Sequence, residues 1–400
     1  MFEVSEATVL AGVLWTALGL YGLSTGWWLV EATLFARRWE DDGERRWGAE
    51  DVQVRILTVD AREVVQGTID AVPEAVDDVH VVAERPMEVE GATVHVVPES
   101  FDCEATNKGR AVEWARRTVP CDREYVLYLD EDTLMTRFDG LPDADVVQFT
   151  ELPLFTGPRL AYLCEVFRVG YQFEQRGFHR LTYPLYAWGG GIAVRRRVEE
   201  AVTWDARTIT EDTNFVWRAA RDGGLSYRLV DGRFRNQAPP SLRSMFRQRR
   251  RWMSGSITDG GLLPVRYRPL YFTRVVVWAL SPLVPLLAAC AYLLPRPIPG
   301  LGPFTAATAA LLGVLFVHMA LGARTYEKHP LAACAYLLLT PLAVSLHAVG
   351  ALWGTLRPVE EFEVTEKVTL DEIEEVHPEL EEGEIEAHDG RGSLFEELAD

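Results

Sequence analysis

The sequence predicts an α/β domain with a mostly parallel sheet, joined to several transmembrane α-helices. Three observations carry this expectation. Four runs without charge, at residues 7–30, 275–295, 297–323 and 329–356, are each 21 or more residues long, and a spanning helix needs roughly 20 apolar residues. Some 230 more polar residues, from about 40 to 269, separate the first run from the others. Within that stretch, short β-branched runs alternate with helical patterns, the signature of a parallel sheet covered by helices.

The first run has no basic residue before it and is long for a signal-peptide core, so it reads as a retained helix, residues 7–35. Arg37, Arg38, Arg45 and Arg46 follow it, which puts the next segment on the cytoplasmic side by the positive-inside rule. The chain then divides into an N-terminal helix (1–36), a charged linker (37–49), an α/β domain (50–255), an interfacial segment with about three transmembrane or re-entrant helices (256–357), and an acidic tail (358–400). The expected location is the cell membrane, crossed several times, with the α/β domain cytoplasmic and in contact with membrane lipids.

Strands are expected at 52–59, 79–83, 93–97, 125–129 and 146–149, with a further strand-like run after Gly189, Gly190 and Gly191. Helices are expected at 105–117, 210–221 and 241–253. In such sheets ligands bind beyond the carboxyl ends of the strands, where Asp130, Glu131 and Asp132 fall.

The net charge is −19. From Glu360 onward there are 17 acidic and 2 basic residues, so the tail carries −15 and the remainder only −4. Such a balance argues against nucleic acid as a partner. Of 40 basic residues all but Lys108, Lys328 and Lys367 are arginine, a halophile-like bias. The five cysteines contain no CxxC pair, so neither a zinc site nor a disulfide framework is expected.

Three constellations carry chemistry. Asp130 and Asp132 at a strand end suit a hard divalent cation with positions left for phosphate oxygens; a solvated acidic turn is the alternative. Thr210, Glu211 and Asp212 open a helix, either as an ordinary capped start or with Asp212 as a general base. Gln248, Arg251 and Trp252 lie just before a membrane helix. Arginine there can fork onto diphosphate oxygens and tryptophan can face a sugar ring, or the segment can meet lipid headgroups. Lys108, the one lysine of the polar domain, suits a diphosphate or a solvated helix face.

The ordered set, Asp60, Lys108, Asp130-x-Asp132, Thr210-Glu211-Asp212 and Gln248-x-x-Arg251-Trp252 beside membrane helices, resembles family 2 glycosyltransferases. These have the GT-A fold and include cellulose synthase, hyaluronan synthase and ceramide glucosyltransferase. Asn107-Lys108-Gly109-Arg110-Ala111 and Leu129-Asp130-Glu131-Asp132-Thr133 are similar to hallmarks of the Egghead-type β-1,4-mannosyltransferase subgroup. The resemblance covers roughly residues 52–255. It implies an inverting transfer from a UDP- or GDP-sugar to a lipid-linked or glycan acceptor. Asp212 would be the base, and Asp130 and Asp132 would hold Mg or Mn. Asp60, Glu84, Lys108, Asp130, Gln248 and Arg251 would bind the donor, and Gly190, Glu211 and Trp252 the acceptor. Glu84 departs from the Asp-Asp-Gly common at its position, which leaves the nucleotide open.

Phe362-Glu363-Val364-Thr365-Glu366-Lys367 also resembles the cytoplasmic gating segment of cellulose synthase. Three crossings after the domain would put it outside. Either the likeness is fortuitous or one run does not cross, and 329–356, with Pro341, is the candidate for a kinked or re-entrant pair. Three other functions compete with single sugar transfer: a processive polysaccharide synthase, a membrane scaffold or channel subunit without catalysis, and a metal-dependent nucleotidyltransferase using Asp130 and Asp132, which would not need Asp212 and Trp252 near a membrane.

Overall fold

The computed structural model describes residues 6–37, 39, 44–135, 137–221, 224–283, 286, 289, 300–359, 367–369 and 372–373. A seven-stranded sheet forms the centre: β1 (Val52–Thr58), β2 (Val79–Ala83), β3 (Thr93–Val96), β4 (Tyr125–Asp130), β5 (Val146–Glu151), β6 (Ile192–Arg195) and β7 (Tyr227–Phe234). Their spatial order is β3-β2-β1-β4-β6-β5-β7. All neighbours are parallel except β6, which runs antiparallel to β4 and β5. The expected mostly parallel sheet is therefore present.

All seven residues of β1 are buried, because apolar layers cover both faces of the sheet. Val126 and Tyr128 of β4 enter one layer, and Tyr125, Leu127 and Leu129 the other. The chain order reverses direction at β1 and β4, so a crevice opens beyond their carboxyl ends, between Thr58 and Asp130.

The helices are α1 (Glu6–Leu29), α2 (Arg62–Asp70), α3 (Lys108–Thr118), α4 (Arg159–Tyr171), α5 (Arg196–Val202), α6 (Glu211–Arg221), α7 (Leu242–Asp259), α8 (Arg268–Leu280), α9 (Leu301–Thr325), α10 (Pro330–Leu338) and α11 (Thr340–Leu356). Two expected boundaries shift. α3 begins at Lys108 rather than 105, because Asn107 has φ +52° and cannot continue a helix. The Asp205 carboxylate instead takes the amides of Glu104 and Ala105. α7 starts at its Ser241 cap, whose hydroxyl accepts the Ser244 amide at 3.0 Å, but runs six residues beyond 253.

Glu6–Phe35 and Leu301–Thr325 are long and apolar enough to cross a membrane. α10 and α11 meet at a bend of 59° and would be a third span only if taken together. Ten of the 21 residues of the expected run at 275–295 lie outside the described residues; α8 holds its start. α1 and α9 are paired at their far ends by Trp15 and Phe304, with ring centroids 5.8 Å apart. α9 returns to the domain, where the Tyr326 hydroxyl donates to the Pro153 carbonyl at 2.9 Å. The bent pair then starts and finishes at the domain: Arg250 Nε donates to the Arg357 carbonyl at 2.9 Å, and the Val359 amide to Ser254 Oγ at 3.0 Å.

Glycines let these helices lie against the domain. A Cβ at Gly322 of α9 would stand 1.9 Å from the Val166 carbonyl oxygen, and one at Gly354 of α11 2.5 Å from that of Arg250. Only bare backbone fits such crossings. α4 and α7 therefore belong to both the sheet domain and the membrane bundle.

Candidate active site

A cavity of about 690 Å³ opens from the β1/β4 crevice. Glu84, Lys108, Asp130, Asp132, Glu211, Asp212, Gln248, Arg251 and Trp252 all line it, although they come from five segments spread over 169 positions. Two expected members stand apart. Asp60 is at the crevice rim, paired with Arg85 at 2.7 Å, and is not in the wall. Gly190 lies behind Trp188, whose ring would be 2.3 Å from a Cβ there, while Gly189 takes the wall position. A Cβ at Gly189 would meet Lys108 Nζ at 2.2 Å.

β4 delivers Asp130 to the cavity floor. Lys108, in the first turn of α3, forms an ion pair with it and a second with Glu211 at 3.3 Å. Burial pushes the Asp130 carboxyl up, but the Lys108 ammonium more than offsets this and holds it below the usual carboxylate range. Burial pulls the Lys108 ammonium down, and Asp130 and Glu211 more than restore it, so Lys108 is a fixed positive charge. Glu131, also in the cavity lining, accepts the Thr58 hydroxyl at 2.6 Å. Asp132 is 3% exposed; its Oδ2 accepts the Gln237 amide at 3.0 Å, and its Oδ1 has no hydrogen-bond partner among the described residues.

α6 delivers Asp212. Its Oδ1 accepts the Thr213 amide at 2.6 Å. Burial, reinforced by the adjacent Glu211 carboxylate, raises its pKa to about 7, against the opposing pull of Lys108. A carboxylate of that pKa can hold or release a proton near neutrality, which suits a general base.

α7 supplies the remaining wall. Burial lowers the Arg251 guanidinium, while Glu211, Asp130 and Asp212 act in the other direction. The Arg249 guanidinium lies 4.0 Å from the Trp252 ring centroid, donates to Gln248 Oε1 at 2.7 Å and pairs with buried Glu165. Arg249 thus braces two wall residues from behind. Beyond Trp252 the same cavity continues past Glu151, Arg168 and Gln172 into an apolar cleft. Trp28 of α1, Val275 and Trp278 of α8, Leu311 and Leu315 of α9 and Val344 of α11 line that cleft.

Residues 125–344 match the family model described as glycosyl transferase family group 2. This chain belongs to that family. Among curated proteins it is similar to the β-1,4-mannosyltransferase egh of Drosophila melanogaster, with 25% identity over 304 residues, 68% of this chain and 66% of the relative. The chain thus spans just under two thirds of that relative's length. Among solved structures it is similar to the mannosyltransferase PcManGT of Pyrobaculum calidifontis in complex with GDP-Man and Mn2+. That match has 15% identity and a TM-score of 0.49, covering 85% of this chain and 99% of the other. Glucosyl-3-phosphoglycerate synthase from Mycobacterium tuberculosis follows at 14% identity and a TM-score of 0.33, with 53% and 81% covered.

One feature of this family member was left open by the sequence reading and a second escaped it. Lys367 pairs with Asp132 at 2.5 Å, and Val368 exchanges two 2.9 Å hydrogen bonds with the Gln237 side chain. Ile373 packs on Leu134 and Leu154. The end of the gating-like segment is therefore on the domain's side; residues 362–366 lie outside the described residues. The second is Asp259, at the end of α7, which accepts from Thr208 and Thr210 hydroxyls at 2.6 and 2.9 Å. An acid 47 residues after Asp212 and 16 before the next hydrophobic run carries no local signal.

Proposed function

We propose that this protein is a membrane-bound inverting glycosyltransferase that moves one sugar from a UDP- or GDP-sugar onto a lipid-linked acceptor at the cytoplasmic membrane face. The observation that carries this reading is the continuity of the cavity, from the Asp130–Asp212 end through Trp252 to the apolar cleft between α1, α8, α9 and α11. A polar sugar acceptor with an apolar stem matches that sequence of surroundings. GDP-mannose is the first donor to test, given the relative named as a β-1,4-mannosyltransferase.

Asp212 would take the proton of an acceptor hydroxyl. That oxygen would attack the anomeric carbon from the face opposite the leaving diphosphate, and the C1–O bond would break with its electrons leaving on the diphosphate. One displacement inverts the centre. Gln248, Arg251 and Lys108 would bind the diphosphate, and Trp252 would lie under the acceptor sugar.

Asp130 and Asp132 would hold Mg or Mn. The residues fit: both are hard oxygen donors, and Asp132 Oδ1 is buried without a partner. Five carboxylates (Asp130, Glu131, Asp132, Glu211, Asp212) face three cations (Lys108, Arg251, Lys367) around the cavity, a formal surplus of two negative charges. When bound, a divalent cation neutralises the developing diphosphate charge.

In this reading α1 is the anchor, 50–255 the catalytic domain and 256–357 the membrane and interfacial helices, with α7 running across the 255/256 division. α1 crosses once, the chain leaves with α8 and returns with α9, and the bent pair stays on the domain side, which agrees with Lys367 meeting Asp132. The arginines after α1 make that side cytoplasmic. The docked Lys367 also favours a second reading, a processive synthase with a gating segment.

The test is transfer of label from radiolabelled UDP- and GDP-sugars into lipid extracts by membranes carrying wild type or Asp212→Asn, with and without Mg or Mn. Metal-dependent lipid label absent from the variant supports the proposal. A ladder of products favours the processive reading. No label from any donor, with folded protein and native lipids, overturns both.

A further inference from the structure

α7 carries more than the wall residues. Gln248, Arg251 and Trp252 lie on the face that also bears Gly255 and Asp259, one and two turns further on. Gly255 rests on Thr210: a Cβ there would stand 2.5 Å from both Thr210 Oγ1 and Cγ2. Asp259 is 4% exposed and fully engaged. Its Oδ2 accepts the hydroxyls of Thr208 and Thr210, and its Oδ1 accepts Asn214 Nδ2 at 3.0 Å.

The consequence falls on Asp212. At the start of α6, Thr210 stands where a threonine hydroxyl ordinarily accepts the amide of the residue three places on. Here that hydroxyl is turned away as a donor to Asp259. The Thr213 amide is taken instead by Asp212 Oδ1 at 2.6 Å. That bond fixes the Asp212 rotamer and turns Oδ2 towards Gly189 on the cavity wall, 3.6 Å from where a Gly189 Cβ would be.

We infer that Asp259 is a positioning residue for the reaction: by holding the Thr210 hydroxyl it leaves the Thr213 amide to Asp212 and so sets the aim of the base. This rests on the function proposed above. It also couples the two motifs, because the helix that bears Gln248 and Trp252 clasps the helix that bears Asp212.

Three variants test it: Asp259→Ala, Thr210→Val, and the two combined. With the carboxylate gone, the Thr210 hydroxyl competes for the Thr213 amide. Asp212 then loses a hydrogen bond that favours its charged form, so its pKa rises. The expected result for Asp259→Ala is a kcat roughly 10- to 100-fold lower, donor KM unchanged, and the acidic limb of the kcat–pH profile moved to higher pH. Thr210→Val has no hydroxyl to compete, so its acidic limb stays in place. The double variant returns the limb to the wild-type position, which a merely structural role of Asp259 would not do. An acidic limb unmoved in Asp259→Ala, or moved and not restored in the double variant, overturns the inference, provided thermal unfolding shows all three folded. A wild type that transfers no sugar instead overturns the function proposed above.

Discussion

The two ends of the cavity use buried charge in opposite ways. On the membrane side, Arg168 lies between Glu151 and Glu165, Arg249 pairs with Glu165, and Arg274 with Glu31 and Glu174. Each arginine there meets carboxylates across an element boundary, and the pairs tie α1, α4, α7 and α8 together. At the β1/β4 crevice, five carboxylates face three cations. Three arginines cross-paired with four glutamates hold helices in place; the larger acidic surplus at the crevice leaves binding capacity. Breaking a pair at the first end should therefore cost stability, and removing an acid at the second should cost activity.

The largest expected effect is at the second end. Asp212→Asn removes the proton acceptor, and transfer should fall by about 10²- to 10⁴-fold while donor affinity, read by calorimetry, stays put. Equal loss of donor affinity would contradict the assignment. At the first end, Arg168→Met leaves Glu151 and Glu165 without their shared partner. Unfolding in detergent should show about 3–5 kcal/mol lost, with part recovered by Arg168→Met/Glu151→Gln; an unchanged unfolding midpoint would erase the contrast between the two ends. Asp132→Ala should abolish Mn-dependent donor binding, measured by Mn electron paramagnetic resonance, with the unfolding midpoint kept.

Smaller effects sharpen the picture. In the proposed reaction Asp212 must be deprotonated, so the rate should climb with pH through about 7. Lys108 lowers the Asp212 pKa, so Lys108→Met should move that limb upward; a limb that stays or falls would show that another group is being read. Gly354→Val, at the α7–α11 crossing, should destabilise by about 1–3 kcal/mol without altering the pH profile.

The sequence by itself determined the fold class, because β1 and β4 are short runs dominated by β-branched, aliphatic and aromatic residues, and that strand pattern needs no distant partner to be recognised. It also brought Asp130, Glu211, Asp212, Gln248 and Trp252 into view, since each sits in a short motif. β7 and α4 escaped it. The burial of β7 is broken at Asp231, Gly232 and Arg233, and α4 hides Glu165 and Arg168 in a helix buried on nearly every side. Only the tertiary structure decided that the run at 329–356 is a bent pair with both ends at the domain, and that Lys367 meets Asp132. It alone brought Asp259 to Thr210. Those contacts join residues between 49 and 235 positions apart. No periodicity encodes such a separation; it follows from how glycine-paved helices pack on the sheet domain.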